Sequence, residues 1–271
     1  MRIRRWFAPV AGVVIAFVSL IPLYIALTVS LKRTTDLTSR WMPPTYLHFE
    51  HYAVALEQSG LLRAALNSLV LTAATALLVV ALGAMAGYPL ARIRSRASRW
   101  LTNAALAVMM IPTLSVIVPL YSVMHGIGAI NTHWGMILLL TTYHLPLAVF
   151  LYANFIRAIP RELDEAATAD GCHAHAVFYR IILPQLAPVT ASVIILKGLK
   201  AWNDYEFALY FLQKPGMRTI TLAISAFFSE FSSDVQAASA AALMAALPAT
   251  MAFLFLQKYF ISGLSDGAVK G

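Results

Sequence analysis

Polar side chains that could take part in chemistry are concentrated in one stretch, RELDEAATADGCHAHAVFYRIILPQLAP, residues 161–188. It holds four carboxylates, two histidines and the only cysteine of the chain: Glu162, Asp164, Glu165, Asp170, His173, His175 and Cys172. Such groups can bind a metal ion, exchange protons or form a charged surface for a partner protein. The elements that position them decide between these possibilities.

Catalytic motifs are not found beside these residues. ATP hydrolysis needs a glycine-rich GxxxxGK[ST] loop around the phosphates, and the sequence contains none. Acid–base or nucleophilic catalysis needs paired groups at one depth in the fold, and the apolar runs supply no such pair. We therefore expect a chain that is not an enzyme and binds no cofactor itself.

The composition indicates that lipid surrounds most of this protein. Of 271 residues, 60% are hydrophobic and only 12% are charged, whereas a soluble domain carries roughly a quarter charged residues. The net charge of +8 is scattered in small groups at the ends of apolar runs, which is not the pattern of a nucleic-acid surface. We predict an integral membrane protein with no nucleic-acid partner.

Six apolar runs are long enough to cross a hydrocarbon core of roughly 30 Å as helices. They fall at about 7–29, 65–90, 104–125, 135–156, 188–211 and 240–261. The first is too long for a signal-peptide core, so we interpret it as an uncleaved span. The fold class is therefore all-α and polytopic, with one transmembrane domain over residues 1–271. Pro112 and Pro119 predict a kinked third span that lines a cavity.

The distribution of Lys and Arg orients the spans, because cytoplasmic loops are enriched in basic residues. One side carries twelve: Arg2, Arg4, Arg5, Arg92, Arg94, Arg96, Arg99, Arg157, Arg161, Arg180, Lys258 and Lys270. The other side carries six: Lys32, Arg33, Arg40, Arg63, Lys214 and Arg218. Both termini and the polar stretch are therefore predicted to be cytoplasmic.

This orientation argues against a metal site. His125 and His133 belong to an external loop, whereas His173 and His175 are cytoplasmic, so the two pairs cannot share one ion. A zinc site would need convergent ligands from His, Cys or carboxylates. We expect these histidines to be ordinary surface and interface residues.

The polar stretch itself has the pattern of a docking helix. Between Glu162 and Ile181 the apolar residues form one stripe, and the acidic residues occupy the first turn, where the helix dipole favours them. Gly171 interrupts the run and predicts a turn between two short helices. A solvated connector has the same polarity, but an apolar stripe favours docking into a groove of a partner protein.

Several motifs in their order along the chain carry a family resemblance. They are Asn67-Ser68, Ile111-Pro112, Val118-Pro119-Leu120-Tyr121, Gly126 to Asn131-Thr132, Glu165-Ala166-Ala167 followed by Gly171, Ile181, Leu183 and Pro184, then Trp202-Asn203, Arg218-Thr219 and the terminal GAVKG. The series resembles the carbohydrate ABC importer permeases of the maltose-transporter type, which carry an EAA loop. The resemblance covers nearly the whole chain.

What the resemblance implies is a subunit of a larger machine in the bacterial inner membrane. It implies a second permease subunit, two ATPase subunits that hold ATP and Mg, and an extracytoplasmic sugar-binding protein. The EAA loop, here residues 161–184, is a coupling helix that docks on the ATPase. The residues implied to couple to the ATPase are Glu165, Ala166, Ala167, Asp170, Gly171, Phe178 and Pro184.

The segment from Lys197 to Glu206 is the candidate for contact with the transported sugar. One interpretation places Trp202 and Asn203 beside the sugar, the first stacking and the second hydrogen-bonding. The other ends the fifth span near Asn203, with its aromatic residues at the membrane interface. Both stay open, and the candidate substrate-path residues are Trp202, Asn203, Asp204 and Tyr121.

Two other functions compete with an ATP-driven sugar importer. A secondary transporter driven by an ion gradient usually places carboxylates near the membrane midplane, and here only the fifth run carries any. An intramembrane enzyme is disfavoured because the runs lack paired catalytic groups. The secondary transporter is the alternative that an energy-source assay would distinguish.

Overall fold

In the computed structural model, which describes residues 2–229 and 234–268, the chain is built from α-helices, without a strand. In chain order the helices are α1 (Arg2–Ser30), α2 (Glu50–Gln58), α3 (Leu61–Arg92), α4 (Arg96–Val108), α5 (Thr113–Gly126), α6 (His133–Ala158), α7 (Glu162–Ala169), α8 (Ala174–Gln185), α9 (Ala187–Trp202), α10 (Glu206–Phe211), α11 (Ile220–Ser229) and α12 (Val235–Ala268). The last three residues of the terminal GAVKG motif lie outside the described residues.

Four of these helices are long and apolar enough to cross a membrane. They are α1 over Pro9–Ser30, all of α3 and α6, and α12 over Val235–Phe255. Two further spans arise if each bent pair counts as one, because α4 and α5 meet at 102° and α8 and α9 meet at 72°. The resulting total of up to six agrees with the number of spans predicted from the apolar runs.

The third and fifth spans are both broken. The predicted kink near Pro112 of the third span is confirmed, whereas the predicted bounds of the fifth span, 188–211, were wrong. Between α4 and α5 the backbone makes tight turns up to Ile111, and Pro112, which lacks an N–H, caps α5 in an extended conformation. The fifth span begins earlier than predicted, at Ala174, and ends at Trp202. Its two halves each contain a π-helical turn, Phe178–Ile182 and Ile194–Gly198.

A short helix also lies between the predicted fifth and sixth spans. Helix α11 has the sequence ITLAISAFFS, and Ala223 and Phe227 are fully buried. Its ten residues are too few to cross a hydrocarbon core. The sequence pattern missed it because it falls below the length of a span.

The chain divides into two compact units. The first comprises Met1–Ala65 with Ile220–Pro248. In it, the segment after α1 folds around buried Lys32, whose Nζ donates to Thr38 Oγ1 at 2.7 Å and to the Ser39 carbonyl at 2.8 Å. Hydrogen bonds from the Thr38 and Tyr46 hydroxyls lower the pKa of Asp36 to about 2. This segment is therefore an ordered polar cap on the end of α1.

The second unit comprises Leu66–Thr219 with Ala249–Gly271, and its core lies between α3, α6 and α8. Gly83 and Gly87 of α3 face Tyr152 of α6 so closely that a Cβ at Gly87 would lie 2.7 Å from the Tyr152 Cβ. Small residues in this spacing let membrane helices approach without a hydrophobic driving force. Buried Phe178 and Ile182 of α8 complete the same core. These contacts form the support on which α7 rests.

Candidate functional site

Helix α7 is held to the rest of the second unit by the carboxylate of Asp164. Its Oδ1 accepts hydrogen bonds from the Tyr88 hydroxyl at 2.7 Å and from Arg92 Nε at 3.1 Å. The Arg92 Nη2 and Asp164 Oδ2 atoms lie 2.7 Å apart, and the two side chains are only 11% and 16% exposed. Helix α7 is therefore joined to the last turn of α3 by a largely buried ion pair.

Arg92 also closes the end of a third helix. Its Nη1 donates to the carbonyls of Ile156 and Ile159, at 3.1 and 3.0 Å, at the C-terminus of α6. Carbonyls at a helix C-terminus lack some of their intrahelical partners, although Ile156 still accepts a hydrogen bond from the Ile159 N–H at 3.1 Å. A guanidinium there supplies further hydrogen bonds and complements the helix dipole. One side chain thus binds the ends of α3 and α6 and the start of α7.

The C-terminus of α7 ends in a Schellman motif. Gly171 has φ +83°, its N–H donates to the Thr168 carbonyl at 3.0 Å, and the Cys172 N–H donates to the Ala167 carbonyl at 2.9 Å. Glycine is favoured here because a side chain is strained in the left-handed region. Ala167 and Cys172 both pack on the core that contains Phe178. The predicted turn at Gly171 is confirmed, and α7 is a separate short helix.

The face of α7 opposite to Asp164 and Ala167 is exposed in this chain. Glu165, Ala166 and Asp170 are exposed, and so are Gly171 and Pro184. Ala167 and Phe178 of the predicted coupling set are buried instead, at 7% and 6% exposure. The coupling set therefore divides into a surface that a partner can reach and a buried layer that positions this surface.

The residues predicted for the substrate path lie around the end of α9. Trp202 is buried, whereas Asn203 is exposed and its Nδ2 donates to the Leu199 carbonyl at 2.9 Å. Asp204 accepts a hydrogen bond from the Ala208 N–H at 2.9 Å and thus begins α10. The ring of Tyr121 lies 5.9 Å from that of Phe211. These four residues hold the junction of α9, α10 and α5.

A cavity of about 500 Å³ lies among α5, α6, α9 and α10. Its lining is largely apolar and includes the polar side chains of Tyr143, His144, Lys197 and Lys200, but none of the four predicted substrate-path residues. His144 is 4% exposed, and within the described part of the chain neither ring nitrogen has a hydrogen-bond partner. The sequence signal for this cavity was the pair of lysines inside an apolar run, since ionisable groups at membrane depth usually serve a function.

Several motif residues are structural. Asn67 donates to the Gly216 and Arg218 carbonyls, at 3.1 and 3.0 Å, and its Oδ1 lies 3.2 Å from His133 Nε2. Asn131 adopts φ 58°, and its Oδ1 accepts a hydrogen bond from the Lys214 N–H. Amide side chains at these points satisfy backbone groups where helices begin and loops cross. They fix the ends of α3 and α6 opposite to α7.

The fold and the EAA loop together define a class of protein: a multi-pass membrane permease whose short α7 is fixed on the ends of two spans. The model of the family "binding-protein-dependent transport system inner membrane component" matches residues 79–266. The chain belongs to this family. It is 42% identical over 259 residues to the melibiose/raffinose/stachyose import permease protein MelC of Bacillus subtilis (strain 168), covering 95% of this chain and 94% of MelC.

Solved structures show the same fold. A chain of a bacterial ABC transporter involved in the import of the acidic polysaccharide alginate matches with a TM-score of 0.81 at 18% identity, covering 96% of this chain and 98% of that chain. A chain of a bacterial alginate ABC transporter in complex with an alginate pentasaccharide-bound periplasmic protein matches with a TM-score of 0.69 at 15% identity, covering 94% of each. The predicted all-α permease fold is confirmed, and the chain is a permease subunit of a binding-protein-dependent importer.

Proposed function

We propose that this chain imports a sugar by coupling its spans to ATPase subunits that dock on α7. In this proposal the EAA loop and both termini lie in the cytoplasm of a bacterial cell, and a second permease subunit completes the path. The chain is not itself catalytic, and ATP and Mg are held by two partner ATPases. A periplasmic sugar-binding protein delivers the substrate.

The observation that carries this proposal is the contrast between the two faces of α7. On the inner face, Asp164 and Ala167 fix the helix to α3 and α6; on the outer face, Glu165 and Ala166 are exposed. A solvated connector has no need of a buried ion pair. A rigid helix with a free acidic face is suited to receive a displacement from a basic groove and pass it to the spans.

The cargo is proposed from the relative and from the cavity. MelC is named for melibiose, raffinose and stachyose, so these oligosaccharides are the first substrates to assay. The cavity lined by Tyr143, His144, Lys197 and Lys200 offers hydroxyl, imidazole and ammonium groups to sugar hydroxyls in an otherwise apolar wall. Trp202, Asn203, Asp204 and Tyr121, which do not line this cavity, remain candidates for the same path.

The decisive experiment is affinity purification of the tagged chain in mild detergent, with its operon partners co-expressed. We expect an ATPase and a second permease to co-purify, and Glu165→Lys to lose the ATPase while retaining the permease. The matched control is Glu57→Lys, since Glu57 is equally exposed but lies on α2, in the other unit.

Uptake assays test the energy source. Vesicles that hold ATP should accumulate labelled melibiose or raffinose with the wild-type complex and not with Glu165→Lys at equal membrane levels. Normal uptake by Glu165→Lys would refute the docking role of α7. Uptake that continues without ATP and collapses with the ion gradient would replace the importer by a secondary transporter.

A further inference from the structure

A second cavity, of about 520 Å³, lies beside the end of α3 and is basic rather than apolar. It is bounded by the last residues of α3, the start of α4 and the connection from α6 to α7. Four arginines line it: Arg94, Arg99, Arg157 and Arg161. Neither the coupling surface of α7 nor the sugar cavity uses these side chains.

The positive charge of this cavity is not paired with acidic side chains in the part of the chain that the structure describes. Among residues 2–229 and 234–268, no Asp or Glu forms an ion pair with any of the four arginines. Arg157 donates a hydrogen bond to the Leu90 carbonyl at 3.5 Å, and Arg161 donates one to the Arg92 carbonyl at 3.2 Å. These bonds hold both side chains at the cavity. The exposed side chains of Arg94 and Arg99 make no hydrogen bond within the same residues.

The start of α4, which carries Arg99, adds a further positive contribution. Helix α4 begins here, and its N-cap Ser95, whose Oγ accepts a hydrogen bond from the Ser98 N–H at 3.0 Å, forms part of the lining together with Ser98. The N-terminal end of a helix of this length carries a partial positive charge that favours anions. Four guanidinium groups and a helix N-terminus around one cavity repel each other unless an anion lies between them.

The surroundings of the cavity identify the kind of anion. Ile93 lines it at 59% exposure, and Trp100 and Leu101, next along α4, are 69% and 50% exposed. A tryptophan at this position is typical of the membrane interface. Basic pockets between spans at the cytoplasmic side are suited to anionic lipid headgroups, whose acyl chains would cover such apolar side chains. A free phosphate would neutralise the arginines but leave the apolar residues uncovered.

We propose that this cavity binds the phosphate of an anionic phospholipid, such as phosphatidylglycerol or cardiolipin, from the cytoplasmic leaflet. The leaflet assignment rests on the orientation given under the proposed function. The phosphate oxygens accept hydrogen bonds from Arg94 and Arg99, whose planar guanidinium groups can each present two N–H donors to one phosphate. Arg157 and Arg161 supply charge from the far wall.

The test is native mass spectrometry of the purified full chain, or of the assembled importer, after exchange of bound lipid. The probes are phosphatidylglycerol, cardiolipin, phosphatidylcholine and inorganic phosphate. We expect the two anionic lipids to remain bound and phosphatidylcholine to dissociate. Arg94→Gln/Arg99→Gln should weaken anionic lipid binding about 25-fold, or about fivefold per arginine, which is the affinity ratio that corresponds to about 1 kcal/mol.

Two matched variants make the result specific. Arg96→Gln removes an exposed arginine from the same helix outside the lining and should leave lipid binding unchanged. Arg94→Lys/Arg99→Lys keeps both charges but loses the two-donor geometry. It should bind anionic lipid more weakly than the wild type and more tightly than the Gln double variant, which shows that the protein remains folded. Equal lipid retention by the Gln double variant, or an equal loss with Arg96→Gln, would overturn the site.

Competition separates the sources of phosphate. Displacement of the lipid by millimolar inorganic phosphate would show a site for a soluble anion and overturn the lipid assignment. Recovery of the ATPase only by chains with intact Arg94 and Arg99, without lipid retention, would reassign the cavity to an acidic segment of that subunit. Lipid binding is measured without ATP, so its failure is distinct from failure of the proposed transport function.

Discussion

Asp164→Ala should release α7 from the ends of α3 and α6 without unfolding the spans. The Asp164 carboxylate accepts one hydrogen bond from Tyr88 and one from Arg92, with which it also forms an ion pair. The side chains of Arg92 and Asp164 are at most 16% exposed. Removing one partner of a buried ion pair costs about 3–5 kcal/mol because the other charge is left uncompensated. Arg92 keeps its two carbonyl bonds to α6, so we use the lower value, about 3 kcal/mol.

Hydrogen exchange measures this loss directly. The amides of Asp170, Gly171 and Cys172 are bonded within the loop only while α7 is formed, and their exchange reports its local opening. Because about 1.4 kcal/mol changes an equilibrium tenfold, Asp164→Ala should speed their exchange about 100-fold. Peptides from the middle of α3 and α6 should exchange as in the wild type.

Two controls accompany this measurement. Glu162→Gln removes a charge from the same turn, but Glu162 is exposed. This variant should therefore change the exchange rate of the amides of residues 170–172 by less than about threefold. Arg92→Gln/Asp164→Asn removes both charges and should cost less than the sum of the single variants, since neither charge remains buried alone. If Asp164→Ala left the exchange of residues 170–172 unchanged, the ion pair would not hold α7 and the reasoning would be wrong.

Two further substitutions test the backbone of the site and of its support. Gly171→Ala places a side chain in the left-handed region at φ +83°, which costs about 1–2 kcal/mol of local stability. Maleimide labelling of the native, half-buried Cys172 should therefore be about 5- to 30-fold faster. Unchanged labelling would contradict the strain at position 171. Gly87→Leu collides with Tyr152, where even a Cβ would lie 2.7 Å away. It should lower the stability of the purified chain in thermal unfolding by about 1–3 kcal/mol. The control Gly126→Ala, with open space around its Cβ, should leave the stability unchanged.

The number and approximate position of the spans followed from the sequence, because lipid forces every spanning backbone into a helix of about 20 apolar residues. The breaks did not follow. A proline such as Pro112 predicts a bend, but its angle of 102° depends on how α4 and α5 pack. Helix α11 was missed because an apolar run of ten residues is equally compatible with a loop or a short buried helix.

The EAA loop was located by its motif, but the contacts that hold it were not. From the sequence, Arg92 was identified only as one of the basic residues that orient the spans. Its partner Asp164 lies 72 positions away, and no local pattern indicates a contact of that separation. In the same way, the apolar stripe that predicted docking did not determine whether Phe178 packs in the core or contacts a partner. The structure buries Phe178 in the core. Periodicity identifies faces, and only packing determines what covers each of them.

The position of Arg92 limits how this family member can vary. The guanidinium uses Nε, Nη1 and Nη2 at once, on a carboxylate and on two carbonyls of another helix. Lysine carries the same charge on a single nitrogen and cannot reach these three points in one plane. A change at position 92 would therefore require simultaneous compensation in three helices, so we expect substitutions to accumulate on the exposed face of α7 instead.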